Sequence, residues 1–452
     1  MRHHHLTALT LLAGAALSGT YALANSPTAS ATSDTTRLYP EELQRRRIIR
    51  ETKVISVGGN VEAEAGRDSI ETLLERFYVN QFRNSQDPHA PYFTFMSRDA
   101  NMAMGIGGLI RVRGWMDWNG MIDNASFCTY LIQMPKTPET MKSLGASVAG
   151  TTLFFNIMGR HSRIGDYQAY IEGGFNGYAN SGFKLKKAWV QIEDWTVGYS
   201  HSTFSDPAAQ PDLLDGAGAN GKIDKTNVLL RYMHTWKDRW TVAGSVEFPS
   251  SAPQEQEGQT KKVKDYTPDI AALGQIQWDR GLSHVRVAAV LRNMAYRDLI
   301  SERNRHVIGW GVQLSSVVKA TRWLTFYGIT SVGQGVGSYT GDLSAGKYDL
   351  ISNLEKPGRL YAPTTLTGTA GVKFNYLPDL STTVALATMR TFKEGLIDGD
   401  TYKYGQYLAA NLIYNITPRL QIGVEYLAGK RMNYSGEHGN VNRAEAVFSA
   451  SF

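Results

Sequence analysis

From Gly107 to Phe452 apolar and polar residues alternate one by one in short runs, the period of a strand whose two faces meet different surroundings. In 107–118, Ile110, Val112, Met116 and Trp118 share one face, and Arg111, Arg113, Trp115 and Asp117 the other. In 282–293, Val285, Val287, Ala289 and Leu291 oppose His284, Arg286 and Arg292; in 420–429, Leu420, Ile422, Val424 and Tyr426 oppose Gln421 and Glu425. The last nine residues, AEAVFSASF, alternate as well and end on Phe452. Sixteen such staves can be marked: 107–118, 151–163, 166–177, 183–194, 195–204, 226–236, 240–249, 269–278, 282–293, 305–317, 322–334, 362–376, 380–391, 403–415, 419–431 and 440–452.

A soluble sandwich would show the same alternation, so the joins decide. Long joins (119–150, 205–225, 250–268, 294–304, 335–361, 392–402) are separated by terse ones such as TWKDRW, WDRGLS, YLPDL and NITPRL; the join near Tyr178 is short for the long side. Long outer loops alternating with tight inner turns, on an even number of strands, predict an all-β fold: a transmembrane antiparallel β-barrel of sixteen strands, closed because lipid satisfies no free backbone group. The long side faces the exterior, and the join 205–225 is its third loop.

Ahead of the staves the pattern changes. Arg2, the apolar run Leu6 to Leu17 and Ala22-Leu23-Ala24 form an export signal over 1–24. Residues 25–105 read as a periplasmic segment with short helices, one over 39–51 behind Pro40 and one over 67–82, where Asp68 and Glu71 make a capping start. The barrel occupies 106–452. No apolar run after residue 25 approaches the ~18 residues of a spanning helix. Tyr is 23, Trp 9 and Gly 44 of 452 residues, which suits two aromatic girdles and many turns. Cys128 is the only cysteine, so no internal disulfide forms and no lipidated cysteine sits at the cleavage site. The address is the outer membrane of a Gram-negative bacterium.

The join between staves five and six carries a resemblance. VGYSHSTFSDPAAQP (197–211), followed by Leu214-Asp215, Gly218 to Asn220 and Arg231-Tyr232, resembles the DcaP-like outer-membrane porin family pattern V-G-x-x-x-S-T-F-x-D-P-x-A-x-P and its sequel. The closing GVEYLAGKRMNYSGEHGNVNRAEAVFSASF resembles that family's last hairpin, and the likeness covers roughly 105–452. The family's coiled-coil stalk is not evident, and Ala219 stands where its loop has proline. The resemblance implies a sixteen-stranded passive channel, a homotrimer, for small anionic solutes such as dicarboxylates, with an inward-folded third loop.

The residues themselves point the same way. The net charge is +6, and an exported chain without a long Lys/Arg tract has small anions and outer-membrane lipid as partners rather than nucleic acid. By alternation Arg111, Arg113, Arg160, Lys187, Arg231, Arg286 and Arg292 face the lumen, with Glu172, Glu193, Glu247 and Glu425 among them. The candidate pore-lining set is Arg111, Arg113, Arg160, Lys187, Arg231 and Arg286, with Asp206 and Asp215 as the acids of the opposing loop, a transverse field that favours carboxylate or phosphate. Each arginine alone is equally expected to pair with a lumen acid and brace the wall. Catalysis is not expected: Gly198-Tyr199-Ser200-His201-Ser202 lacks the final glycine and the helix of a nucleophile elbow. The ten histidines form no H-E-x-x-H, so neither metal nor cofactor is called for. A surface receptor or scaffold is the competing expectation, on the charged loop 250–266, with a barrel hydrolase behind it.

Overall fold

The computed structural model describes residues 39–57, 91–98, 101–175 and 182–452. The signal 1–24 and the helix read over 67–82 lie outside them. The sixteen barrel strands are β1 (Met102–Trp118), β2 (Lys142–Ser147 continued by Thr152–His161), β3 (Gly165–Phe175), β4 (Phe183–Ile192), β5 (Trp195–His201), β6 (Thr226–Trp236), β7 (Trp240–Glu247) and β8 (Asp269–Trp278). They continue with β9 (Ser283–Asp298), β10 (Arg303–Lys319), β11 (Leu324–Gln334), β12 (Thr364–Leu377), β13 (Leu380–Phe392), β14 (Tyr402–Thr417), β15 (Leu420–Asn433) and β16 (His438–Ser451). Each pairs antiparallel with the next, and β16 pairs with β1 from Asn442↔Trp118 to Ser451↔Leu109, so the sheet closes.

The outward face is what hydrocarbon demands. Val242, Val246, Ile270, Val287, Leu291, Leu314, Leu386 and Val424 stand 47–57% exposed, one every second residue. Tryptophans 195, 236, 240, 278 and 323 all face outward beside the tight turns, forming the inner girdle. Phe175, Phe183, Phe248, Trp310 and Phe392 face outward toward the long-loop end.

Two joins differ from the sequence reading. The join expected over 294–304 shrinks to 299–302, because Met294 and Tyr296 keep pointing inward, packed on Leu350, Leu360 and Ala362, and Asp298 closes the turn by accepting from Ser301 and Arg305. The join expected over 119–150 ends at Lys142. There KSLGAS continues β2 with Leu144 and Ala146 facing outward, and a Cβ on Gly145 would clash with the Trp115 ring packed across it.

The helix read over 39–51 is α1 (Pro40–Glu51), with Pro40 at its start and Glu41 and Glu42 in the first turn. It lies against the inner end of the barrel: Glu41 meets Lys319 (2.7 Å), Arg47 meets Asp379 (2.8 Å) and Glu51 faces Arg419 (4.0 Å). Two short parallel strands, Lys53–Val57 and Phe93–Ser97, extend the sheet beside the lower half of β1.

Candidate functional site: the lumen and its third loop

The third outer loop, 202–225, does not stand up from the rim. Its first turn is fixed to β7: Ser202 Oγ and the Thr203 amide both donate to Glu247 Oε1 at 2.9 Å. Phe204 then enters an apolar cluster with Ala288, Val290 and Tyr339, approaching the wall where Gly311 has no side chain. Asp206, fully buried, accepts from Ser315 Oγ (2.5 Å), pairs with His284 Nε2 (2.9 Å) and faces Arg286 Nη1 at 3.4 Å. Burial pushes this carboxyl up, but the Arg286 and His284 charges outweigh it and hold it well below the usual range.

The loop continues around the inner wall. Pro211 packs over Gly371. Asp212 pairs with Lys373 at 2.8 Å, which holds its carboxyl down. The Leu214 and Asp215 amides donate to Glu425 at 2.9 and 2.7 Å. Asp215 itself accepts from the Phe127 and Ala217 amides and from the Tyr407 hydroxyl, with Arg113 at 3.8 Å; burial still raises its carboxyl. On the return Gly221 passes so close to the wall that a Cβ would sit 2.7 Å from the Gly368 carbonyl. Asp224 then pairs with His201 (2.9 Å) and Lys222 (3.4 Å).

The predicted site residues thus fall into three groups. Arg113, Arg231 and Arg286 are 1–3% exposed and grip backbone: Arg113 donates to the Ala125 and Leu214 carbonyls (2.9 and 2.8 Å), Arg286 to Ser205 (3.0 Å) and Arg231 to His201 (3.4 Å). With Asp206 and Asp215 they are the clamps between loop and wall. Arg160 sits at an inner turn, exposed, in a two-point pair with Asp166 (2.6 and 3.1 Å). Arg111 and Lys187 remain half-buried on the lumen face. Arg111 Nε donates to Ser449 (3.3 Å), and Lys187 shares Glu172 with Lys186 at 3.8 and 3.9 Å.

Alternation marked Glu425 as inward but could not show it as the anchor of Leu214-Asp215. Arg443 went unmarked although Asn442-Arg443 belongs to the closing hairpin's likeness. It holds Asp117 at two points (2.7 and 2.8 Å) and the Asn124 and Ala125 carbonyls, pinning the first outer loop beside the third. Arg292, between Asp269 and Asp349 at 3.0 Å each, does the same for the fourth and sixth. The Ser-His stretch pairs elsewhere: Ser202 with Glu247, His201 with Asp224.

Residues 83–260 match the family model described as DcaP outer membrane protein. No curated protein matches the sequence. Among solved structures the outer membrane channel DcaP of Acinetobacter baumannii is similar at TM-score 0.67 and 19% identity, over 78% of this chain and 98% of that one. An anion-selective porin from Comamonas acidovorans matches at 0.50 and 9% (78% and 100%), and Salmonella typhi OmpF in complex with daunomycin at 0.51 and 10% (78% and 98%). At these identities the structures speak for the barrel, and the family model speaks for the segment that holds the clamped loop. A sixteen-stranded barrel with that segment folded along its inner wall is similar to the DcaP outer-membrane proteins over residues 83–260 and shares their barrel fold.

Proposed function

We propose that the chain is a homotrimeric passive channel that favours small anionic solutes of the dicarboxylate class. The observation that carries the reading is the division of labour among the lumen charges. Arg113, Arg231 and Arg286 are engaged in holding the third loop, whereas Arg111, bonded to Ser449, and Lys186 and Lys187, which share the single carboxylate of Glu172, stand on the lumen face without a clamp to hold. Arg111 and Lys187 meet the solute, Asp212 and Asp224 give the opposite edge of the field, and Arg160 serves the inner exit. A dicarboxylate gains forked hydrogen bonds from Arg111 that chloride does not. The homotrimer rests on the family resemblance. Reversal potentials across planar bilayers in a salt gradient test selectivity, and native mass spectrometry tests the trimer. A cation preference overturns the anion reading, and a monomeric mass overturns the assembly.

A further inference from the structure

The outer wall should be apolar where it meets hydrocarbon, yet β13 to β15 carry cations on that face near their outer ends. Arg390 lies outward on β13, two residues below Phe392 and in register with Leu366 and Tyr404. Lys430 lies outward on β15, in register with Gln406 and Asn440. Lys393 and Lys403 lie at the rim, at the join of β13 and β14, over Tyr434, whose hydroxyl donates to the Thr391 carbonyl. Each cation rests on a ring: Arg390 on Phe392 (5.0 Å), Lys430 on Tyr404 (5.9 Å), and Lys393 and Lys403 on Tyr434 (5.8 and 5.7 Å). Glu394 and Glu437 belong to the neighbouring loops, but among the described residues no carboxylate reaches any of the four cations within 4.0 Å. The buried lumen arginines, by contrast, are all engaged.

Below the cations the wall is hollowed. Ala410, Ala444 and Ala446 floor an apolar groove of about 640 Å³ bounded by Val424, Tyr426 and Leu144, the last 85% exposed. It begins about 13 Å down β15 from Lys430, four residues at strand rise. Arg390 and Lys430 are two strands and two residues apart, on the order of 12 Å. That span suits a disaccharide with a phosphate at each end. Cations held over rings at headgroup level draw several phosphates at once, and an apolar groove beneath accepts a hydrocarbon chain.

We propose that this face is a binding site for a phosphorylated, multiply acylated glycolipid of the outer leaflet, its phosphates on Arg390 and Lys430 and one acyl chain in the groove. The proposal rests on the outer-membrane reading and is independent of solute selectivity.

The test uses the full-length protein in detergent, with bis-phosphorylated hexa-acyl diglucosamine (lipid A), its dephosphorylated form and phosphatidylglycerol. Bound lipid is counted by native mass spectrometry, with planar-bilayer conductance in parallel. The bis-phosphorylated lipid should be retained at least tenfold better than the dephosphorylated one. The Arg390→Gln/Lys430→Gln variant should lose about that factor, and Ala444→Trp should weaken retention too, with conductance unchanged throughout. Equal retention of the two lipids, equal competition by phosphatidylglycerol, or unchanged binding in the double variant overturns the site. If Ala444→Trp instead changes the oligomer mass and leaves lipid retention intact, a second copy fills the groove and the acyl-chain placement falls. Loss of conductance with lipid retained counts against the channel alone. The comparison of the two lipids on the unaltered protein holds even if a variant fails to fold.

Discussion

Arg111 and Arg113 are two residues apart on the same face of β1, and the structure gives them different work. Arg113 is 3% exposed and bonded to two loop carbonyls, so Arg113→Ala strips partners from Leu214 and leaves Asp215 without its cation. Breaking a buried charged contact of this kind costs about 3 kcal/mol. The variant should lose denaturant resistance of that order and show a larger, noisier single-channel current as the loop loosens. Arg111→Gln removes a lumen charge bonded only to a serine hydroxyl, so stability should hold while the anion-to-cation permeability ratio falls by about half. Lys225 adds a pH dependence. Burial and the Arg292 charge lower its ammonium to about 8, although it donates to the Ser250 carbonyl and Ser338. The folded state therefore releases this proton earlier than the unfolded chain, whose lysine titrates near 10.4. From this group stability rises with pH between about 8 and 10, while the positive charge near the vestibule is lost. Anion preference should decline as pH passes from 7 to 9, and Lys225→Gln should flatten that decline in reversal-potential measurements.

The α1 helix contributes a carboxylate to the inner mouth. Glu41 stands 2.7 Å from Lys319, whose side chain is 7% exposed, and the Lys373 charge also acts on it. Glu41→Gln would leave Lys319 uncompensated, so the anion-to-cation ratio should rise on the order of twofold. The Arg47–Asp379 pair, half exposed, adds little to docking, and Arg47→Ala should leave conductance unchanged. Elements of this sort were unevenly legible in the sequence. Strands were readable wherever water and lipid dictate opposite faces, as along β9 and β15. The upper piece of β2 was not, because Gly145, Ala146 and the serines around Leu144 carry almost no contrast; that piece is held by pairing with β1 instead. The outer ends of β9 and β10 were missed because Met294 and Tyr296 pack under the sixth loop, a contact between distant segments. Alternation also gave the face of Arg113, Arg231 and Arg286 but not their partners, since a strand's period is silent about which loop folds back over it.

At the scale of the whole molecule the barrel inverts the soluble arrangement. Arg231, Arg286, Arg292 and Arg443 are among the largest fully buried side chains, and aliphatic residues form the exterior. Such a wall survives only while every strand edge is paired, because an open edge in lipid strands backbone groups at several kcal/mol each. The seam between β16 and β1 joins the two ends of the sheet, and below its register pairs the Gly108 and Phe452 backbones exchange two hydrogen bonds at 3.0 Å. That approach needs glycine, for a Cβ on Gly107 would meet the Phe452 carbonyl at 2.5 Å and one on Gly108 the Phe452 ring at 2.7 Å. Deleting Phe452 removes both bonds and the ring that covers them, and Gly107→Val pushes the terminus away. Both should fray the seam from its inner end, lowering the temperature at which the folded band is lost on a heat-modifiability gel, whereas Phe452→Tyr keeps backbone and ring and should melt with the parent. If deletion of Phe452 leaves that temperature unchanged, the ten register pairs above it suffice to close the barrel.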